Sequence, residues 1–274
     1  MEIKYETVIY EEKGKVGVIT LNRPEARNAL NFPLFLDLED AVRGCSAKAM
    51  IITGAGSAFC AGGDMKQMKE VTYLWKNYGT GKLTETEEEI CRRNIQTNKL
   101  TSSMDALLYT NTPIIAAING PTAGQGLELA LAADIRVASE TATFCAAFVK
   151  RGYIGDAAVF GRLVQLIGRE RTAEMLMTGD TIDAQTALQI GLVSRVVKQD
   201  QVLDTALEIA NKIASNPPVA VRAYKEGLRN TLDPNWRALG SWLDAQWMLE
   251  EATEDHQEGR RAFIEKRVPQ YTGR

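Results

Sequence analysis

Residues 113–139 read PIIAAINGPTAGQGLELALAADIRVAS, and within this stretch the chain is expected to change conformation three times. PIIAAI, at 113–118, is an apolar run too short for a core helix, so it predicts a buried strand. Gly120 and Gly124 punctuate a turn. From 124 to 133 the leucines and alanines surround a single acid, Glu128, which predicts a helix buried nearly all round. The chain then returns to strand over 135–138. Strand, turn, helix and strand in this order make a crossover between parallel neighbours.

The same alternation extends in both directions. Apolar, β-rich segments at 7–11 and 16–21 flank Gly14-Lys15 and predict a hairpin, and Asn22-Arg23-Pro24 ends its second strand. Helical spacing follows over 28–44, a strand over 49–53, a Gly-rich turn through Gly62-Gly63-Asp64, and a long helix over 88–109. Downstream come a loop at 152–156, helices over 157–166 and 171–176, and a strand over 192–197. Beyond Asp200 every signal is helical, over 202–215, 219–229, 236–251 and 255–265. The reading is an α/β core over 1–199 and a helical region over 200–274. Taken alone, the residues suggest one mostly parallel sheet.

Composition bounds the function. The chain has 274 residues, 45% hydrophobic and 24% charged, enough to bury a sizeable core without staples. Its 32 basic and 35 acidic residues leave a net charge of −3, so no general field attracts nucleic acid or an anionic membrane. No apolar run approaches the ~20 residues of a bilayer span, and the charged start, MEIKYETVIYEEKGK, does not read as a signal peptide. Cys45, Cys60, Cys91 and Cys145 form no CxxC and read as reduced thiols of a cytoplasmic protein. The one histidine, His256, lies in the polar stretch EATEDHQEGR. That argues against a Ser-His-Asp triad and excludes a multi-His metal site, so acid–base work falls to carboxylates, Lys, Tyr or Cys.

Several segments each support two readings. The turn Gly120-Pro121-Thr122-Ala123-Gly124-Gln125-Gly126 lacks the third glycine of a dinucleotide fingerprint. It is either a tight strand-to-helix turn or a seat for an oxyanion, since a helix N-terminus leaves peptide N–H groups free. Glu128 either faces a wet stripe or is buried, and burial would raise its pKa toward the range useful for proton transfer. Asp156 is either a helix cap or a second carboxylate facing the first. Residues 59–64 form either a Gly-rich turn, with Asp64 capping the next helix, or a second oxyanion donor. By residue type alone Arg27, Lys66 and Lys266 read as surface charges, and Trp247 as packing or a subunit contact.

Taken together, ITLNRPEARNAL (19–30), IITGAGSAFCAGGDMKQM (51–68), residues 113–139, LIGRERTAEMLMTGDTIDAQTALQIGLVSRVV (166–197) and EGRRAFIEKRVPQYTG (258–273) resemble the crotonase (enoyl-CoA hydratase/isomerase) superfamily over almost the whole chain. The resemblance implies an α/β fold, a spiral of ββα turns in place of a single sheet, with a C-terminal α-helical region that joins subunits into a homotrimer or dimer of trimers. It implies an acyl-CoA thioester as substrate and partner, coenzyme A entering as part of that substrate, and no metal or redox cofactor. The oxyanion donors would be the peptide N–H groups of Gly63 and Gln125, the latter where the family usually has Gly. Ala26 and Arg27 would lie near the adenine and Ala61 and Lys66 near the pantetheine and phosphates. Lys266 would reach a phosphate from a neighbouring subunit. Phe263 and Trp247 would line the acyl or CoA channel, and Phe148, Val149 and Tyr153 would shape the acyl pocket.

Departures from the family pattern bear on the reaction. Glu128 matches the first catalytic Glu of the hydratases, but their second Glu falls on Phe148. Asp156 resembles an acid of the dienoyl-CoA isomerases and of the phenylacetyl-CoA-epoxide isomerases, a branch that AFVKRGYIGD (147–156) and the ending KRVPQYTGR also resemble. The expected reaction is a double-bond shift, with Glu128 and Asp156 moving the proton across an enolate. The alternatives are hydration of an enoyl-CoA, cleavage or hydrolysis of an acyl- or aryl-CoA through Asp156, and a non-catalytic binding scaffold.

Overall fold

A computed structural model describes residues 2–65, 77–85, 88, 104–151, 155, 158–230, 253–265 and 267–274. Its larger sheet has seven strands: β1 (Glu2–Lys4), β2 (Val8–Lys13), β3 (Val16–Leu21), β4 (Ala49–Gly54), β5 (Ile114–Ile118), β7 (Ile135–Ser139) and β10 (Arg195–Val197), adjacent in that order. The expected hairpin is β2–β3, antiparallel, with Val8 opposite Leu21. From β3 onward every pairing is parallel.

A second, smaller layer lies over the first. It comprises β6 (Thr122–Ala123), β8 (Thr143–Cys145) and β9 (Thr181–Asp183), extended by single bridges between Cys60 and Thr122 and between Leu30 and Gly63. The chain therefore repeats one path. A long strand in the large sheet leads to a short extended piece in the small layer, and where the next segment is described it is a helix: β3, Leu30 and Phe32–Gly44; β5, β6 and Gln125–Ala132; β7, β8 and the helical stretch beginning at Ala158. This is the ββα spiral, and the single-sheet reading of the residues alone is corrected by it. The second-layer pieces are two or three residues long, too short to leave an alternating pattern in sequence.

Alternation along the central strands explains why the large sheet is buried on both faces. On β4, Met50 and Ile52 enter one core and Ala49 and Ile51 the other; on β5, Ile114, Ala116 and Ile118 oppose Ile115 and Ala117. The first core fills the space beneath the small layer. The second is closed by the helix Val202–Ala214, which presents Val202, Ala206, Ala210 and Ala214 at four-residue spacing. The first helix of the C-terminal stretch thus belongs to the packing of the sheet.

Helix boundaries follow local chemistry. Phe32–Gly44 starts later than the sequence spacing suggests because Asn31 caps it, its side chain accepting from Leu34 N. Gln125–Ala132 gives way to extended backbone at Ala133, and the next N–H, that of Asp134, donates to Ile114 O. The stretch 158–167 opens with a wide π-type turn, Val159–Leu163, before Val164–Ile167. The expected helix over 236–251 lies outside the described residues. No helix among the described residues is long and apolar enough to cross a membrane.

Candidate active site

The two glycine-rich turns of the sequence meet at the head of the Gln125–Ala132 helix. Residues 27–30 run beside 60–64 and hold the first turn in place. Ala61 N donates to Arg27 O at 3.0 Å, Leu30 N to Gly62 O at 2.7 Å and Asp64 N to Leu30 O at 2.8 Å. These bonds engage the residues on either side of Gly63. The N–H groups of Gly63 and Gln125 have no acceptor among the described residues. In Gln125 this reflects helix geometry, because the first turn has no preceding carbonyl to donate to.

Close approach of the two turns depends on missing side chains. Gly62 has φ +100°, and a Cβ there would lie 2.8 Å from Ala123 O and 3.6 Å from Gln125 N. Gly126 has an ordinary backbone, yet a Cβ there would sit 2.2 Å from Cys60 O, the acceptor of the Ala123 N–H bond at 3.0 Å. The result is a pair of peptide segments, 62–63 and 124–125, side by side, with the N–H groups of Gly63 and Gln125 unused among the described residues.

Glu128 lies one turn into this helix and is 2% exposed, among neighbours that are all buried. The solvent-facing stripe is thereby ruled out. Gly155 lies beside its carboxylate: a Cβ on Gly155 would be 3.1 Å from Glu128 Oε1. Phe148 is half-buried, and its Cε1 would be 3.9 Å from a Cβ on Gly124, so its ring stands next to the helix head. Val149 is 43% exposed, and its Cγ1 would lie 3.1 Å from a Cβ on Gly179.

Of the other sequence-derived candidates, Arg27 and Ala61 are joined by the peptide bond pairing above. Ala26 lies in the Pro24–Ala26 turn immediately before Arg27, and both Arg27 and Ala61 are exposed. Asp64 Oδ2 accepts from Arg23 Nη2 at 3.1 Å, and the residues that it would cap lie outside the described ones. Phe263 belongs to the helix Glu254–Glu265, but its side chain lies outside the described residues. Lys66, Tyr153, Asp156, Trp247 and Lys266 also lie outside them.

Sequence reasoning missed three supports of the site. Asn28, fully buried with φ +55°, donates to Ala55 O and Ala58 O at 2.9 Å each and accepts from Arg23 N, fixing the loop that leads into 59–63. Asn119 does the same from the other side, accepting from Gly54 N and donating to Gly56 O. Arg136, 7% exposed, donates to Ala133 O and to Leu192 O at 2.8 Å, just beyond the C-terminal end of the Glu128 helix. Burial and the nearby Arg162 push its guanidinium down to about 10, so it remains a cation at neutral pH, the favoured charge at a helix C-terminus. The legible signal was the position of Asn28 just after Arg23-Pro24, where a turn needs a side chain that tolerates left-handed backbone.

The profile of the enoyl-CoA hydratase/isomerase family matches residues 11–274. The 2,3-dehydroadipyl-CoA hydratase of Escherichia coli is 35% identical over 97% of this chain and 99% of its own. The short-chain-enoyl-CoA hydratase of Clostridium acetobutylicum is 34% identical over 97% of each. Among solved structures, an enoyl-CoA hydratase from Bacillus anthracis superposes with a TM-score of 0.84 at 33% identity, covering 98% of this chain and 100% of that one.

Proposed function

Because the chain belongs to the enoyl-CoA hydratase/isomerase family, we propose that it takes an enoyl-CoA thioester and shifts its carbon–carbon double bond. The N–H groups of Gly63 and Gln125 receive the thioester oxygen. One carboxylate of the pair Glu128 and Asp156 removes a proton from carbon, and the electron pair passes through the conjugated chain to that oxygen as an enolate. As the electrons return, the proton taken up passes back from the carboxyl pair to the other carbon, so the product has the mass of the substrate and both carboxylates regain their starting state. Charge develops where two fixed peptide dipoles are aimed, and one such donor is worth about 10²–10³ in rate. The chemistry draws on peptide dipoles and carboxylates, with coenzyme A entering as part of the substrate.

The observation that carries this reading is the meeting of segments 62–63 and 124–125 at the head of a helix that buries Glu128. Isomerisation is preferred to hydration on Phe148. The position that resemblance assigns to the hydratases' second acid holds a hydrocarbon ring beside Gly124. Gly155, packed on Glu128, directly precedes Asp156 in the chain. Hydration is the second reading, favoured by the relatives that carry the name hydratase; there Glu128 and Asp156 would orient a water.

The test supplies enoyl-CoAs with the double bond at successive positions and monitors absorbance and product mass. A product of unchanged mass supports isomerisation, and a gain of one water replaces it with hydration. Glu128→Gln and Asp156→Asn should each lower kcat by about 10²–10⁴-fold while CoA-ester affinity is kept. Parental rates in both variants would refute the assignment. The reading also carries a cytoplasmic homotrimer or dimer of trimers. In its support, Tyr224 and Leu228 stand 76% and 68% exposed one turn apart on the helix Pro218–Asn230, and light scattering checks the assembly.

A further inference from the structure

Glu128 has a neighbour that the proposed chemistry leaves unused. Gly155 is wedged between two side chains: a Cβ on it would lie 3.1 Å from Glu128 Oε1, 2.9 Å from Val159 Cγ2 and 3.1 Å from Val159 Cβ. Its φ lies outside the left-handed range that penalises a side chain, so what is special here is space. Both partners are interior, Val159 fully buried and Glu128 2% exposed.

The two partners differ in how they can respond to an added methyl group. Val159 is β-branched, locked at χ1 and seated in the wide turn Val159–Leu163 within the main core. Glu128 reaches its carboxylate through three rotatable bonds, so displacement falls on the carboxylate. We propose that Gly155 is a positioning residue, its bare Cα forming the wall that fixes the Glu128 carboxylate for proton transfer. This rests on the reading of Glu128 as the proton carrier. A contact of 3.1 Å must open toward the ordinary 3.4–4 Å, and proton transfer needs its partners within hydrogen-bond reach. The loss therefore falls on kcat, while the thioester and CoA contacts that set KM are made elsewhere.

The experiment is a double-mutant cycle on the full chain, combining Gly155→Ala with Glu128→Asp, which retracts the carboxylate by one methylene. Gly155→Ala is expected to lower kcat about tenfold or more, with KM for the enoyl-CoA within about twofold of the parent. The double variant is expected to exceed by about tenfold the activity predicted from the product of the single losses, because the methyl enters space that Asp vacates. Repeating the cycle with Val159→Ala, which removes the 2.9 Å clash, keeps the comparison available should the alanine alone impair folding. The same coupling is expected there. A parental kcat for Gly155→Ala overturns the proposal. So do losses that simply multiply, or recovery by Val159→Ala alone, which would make Gly155 a packing residue. Failure of the proton-carrier reading shows separately, as parental turnover by Glu128→Gln.

Discussion

Gly126→Ala separates a structural glycine from a catalytic spacing. In an open helix the substitution would stabilise, since Ala is favoured over Gly by about 1 kcal/mol. Here the new Cβ would sit 2.2 Å from Cys60 O and 2.9 Å from Cys60 C and Cβ. To reach even 3.0 Å, the helix head and the segment leading to Gly63 must part by about 0.8 Å. Cys60 O is also the acceptor for Ala123 N, so the separation strains the bond that ties the two turns. Overpacking of this size costs about 1–3 kcal/mol. The kinetic cost is larger, because in the proposed reaction Gly63 and Gln125 place their N–H groups on one oxygen, and a misplacement near 1 Å is worth about 10²-fold. The expected variant is folded, melts earlier in urea, and has kcat lowered about 10²-fold with affinity for a CoA ester nearly kept. Product mass measured over time gives kcat, and calorimetry gives the affinity. A folded Gly126→Ala protein with parental kcat would refute the claim that these two amides act on one atom.

Two further outcomes concern charged groups away from the reacting atoms. Arg136→Met removes the donor that Arg136 gives Leu192 O and leaves Ala133 O with the longer bond from Arg162 Nη1 at 3.4 Å, and should cost roughly 2–3 kcal/mol in urea unfolding; a change within error would show that other groups satisfy those carbonyls. Arg267, hydrogen-bonded to Glu258 through two nitrogens, holds that carboxyl at about 2 against an ordinary 4.5. The folded pKa is the lower one, so the pair's stabilisation is complete above pH 4.5 and fades as pH falls toward 2. Glu258→Gln should flatten the fall of melting temperature across that window, and an unchanged slope would remove the pair from the acid response.

The sequence was legible where one residue pattern admitted one structure. Residues 113–139 pointed to strand, turn, helix and strand because an apolar run of five or six residues matches a strand's length better than a core helix's and Gly punctuation leaves few turns. The period of two along β4 and β5 is visible afterwards but was hidden in sequence, since strands buried on both faces are apolar throughout. The small layer was illegible for a different reason. Its pairings are single bridges, such as Leu30 with Gly63 and Cys60 with Thr122, or ladders of two or three residues between segments apart in the chain, and the spiral they build was implied by the resemblance alone.

The candidate site shows the same division. Glu128 was conspicuous as one acid in an apolar helix, and the structure decides its two readings by burying it. Gly155 and Gly126 were silent, because a glycine in sequence says that a side chain is absent without saying what would have struck it. Both lie where a backbone or a carboxylate occupies the missing volume. The site is therefore made of subtractions as much as of functional groups: two turns approach because Gly62 and Gly126 leave room, and an acid sits beside a third glycine. If that is so, restoring volume at these positions should damage rate before it damages fold. Adding a methyl at exposed Gly44, where a Cβ meets nothing within 4 Å, should do neither.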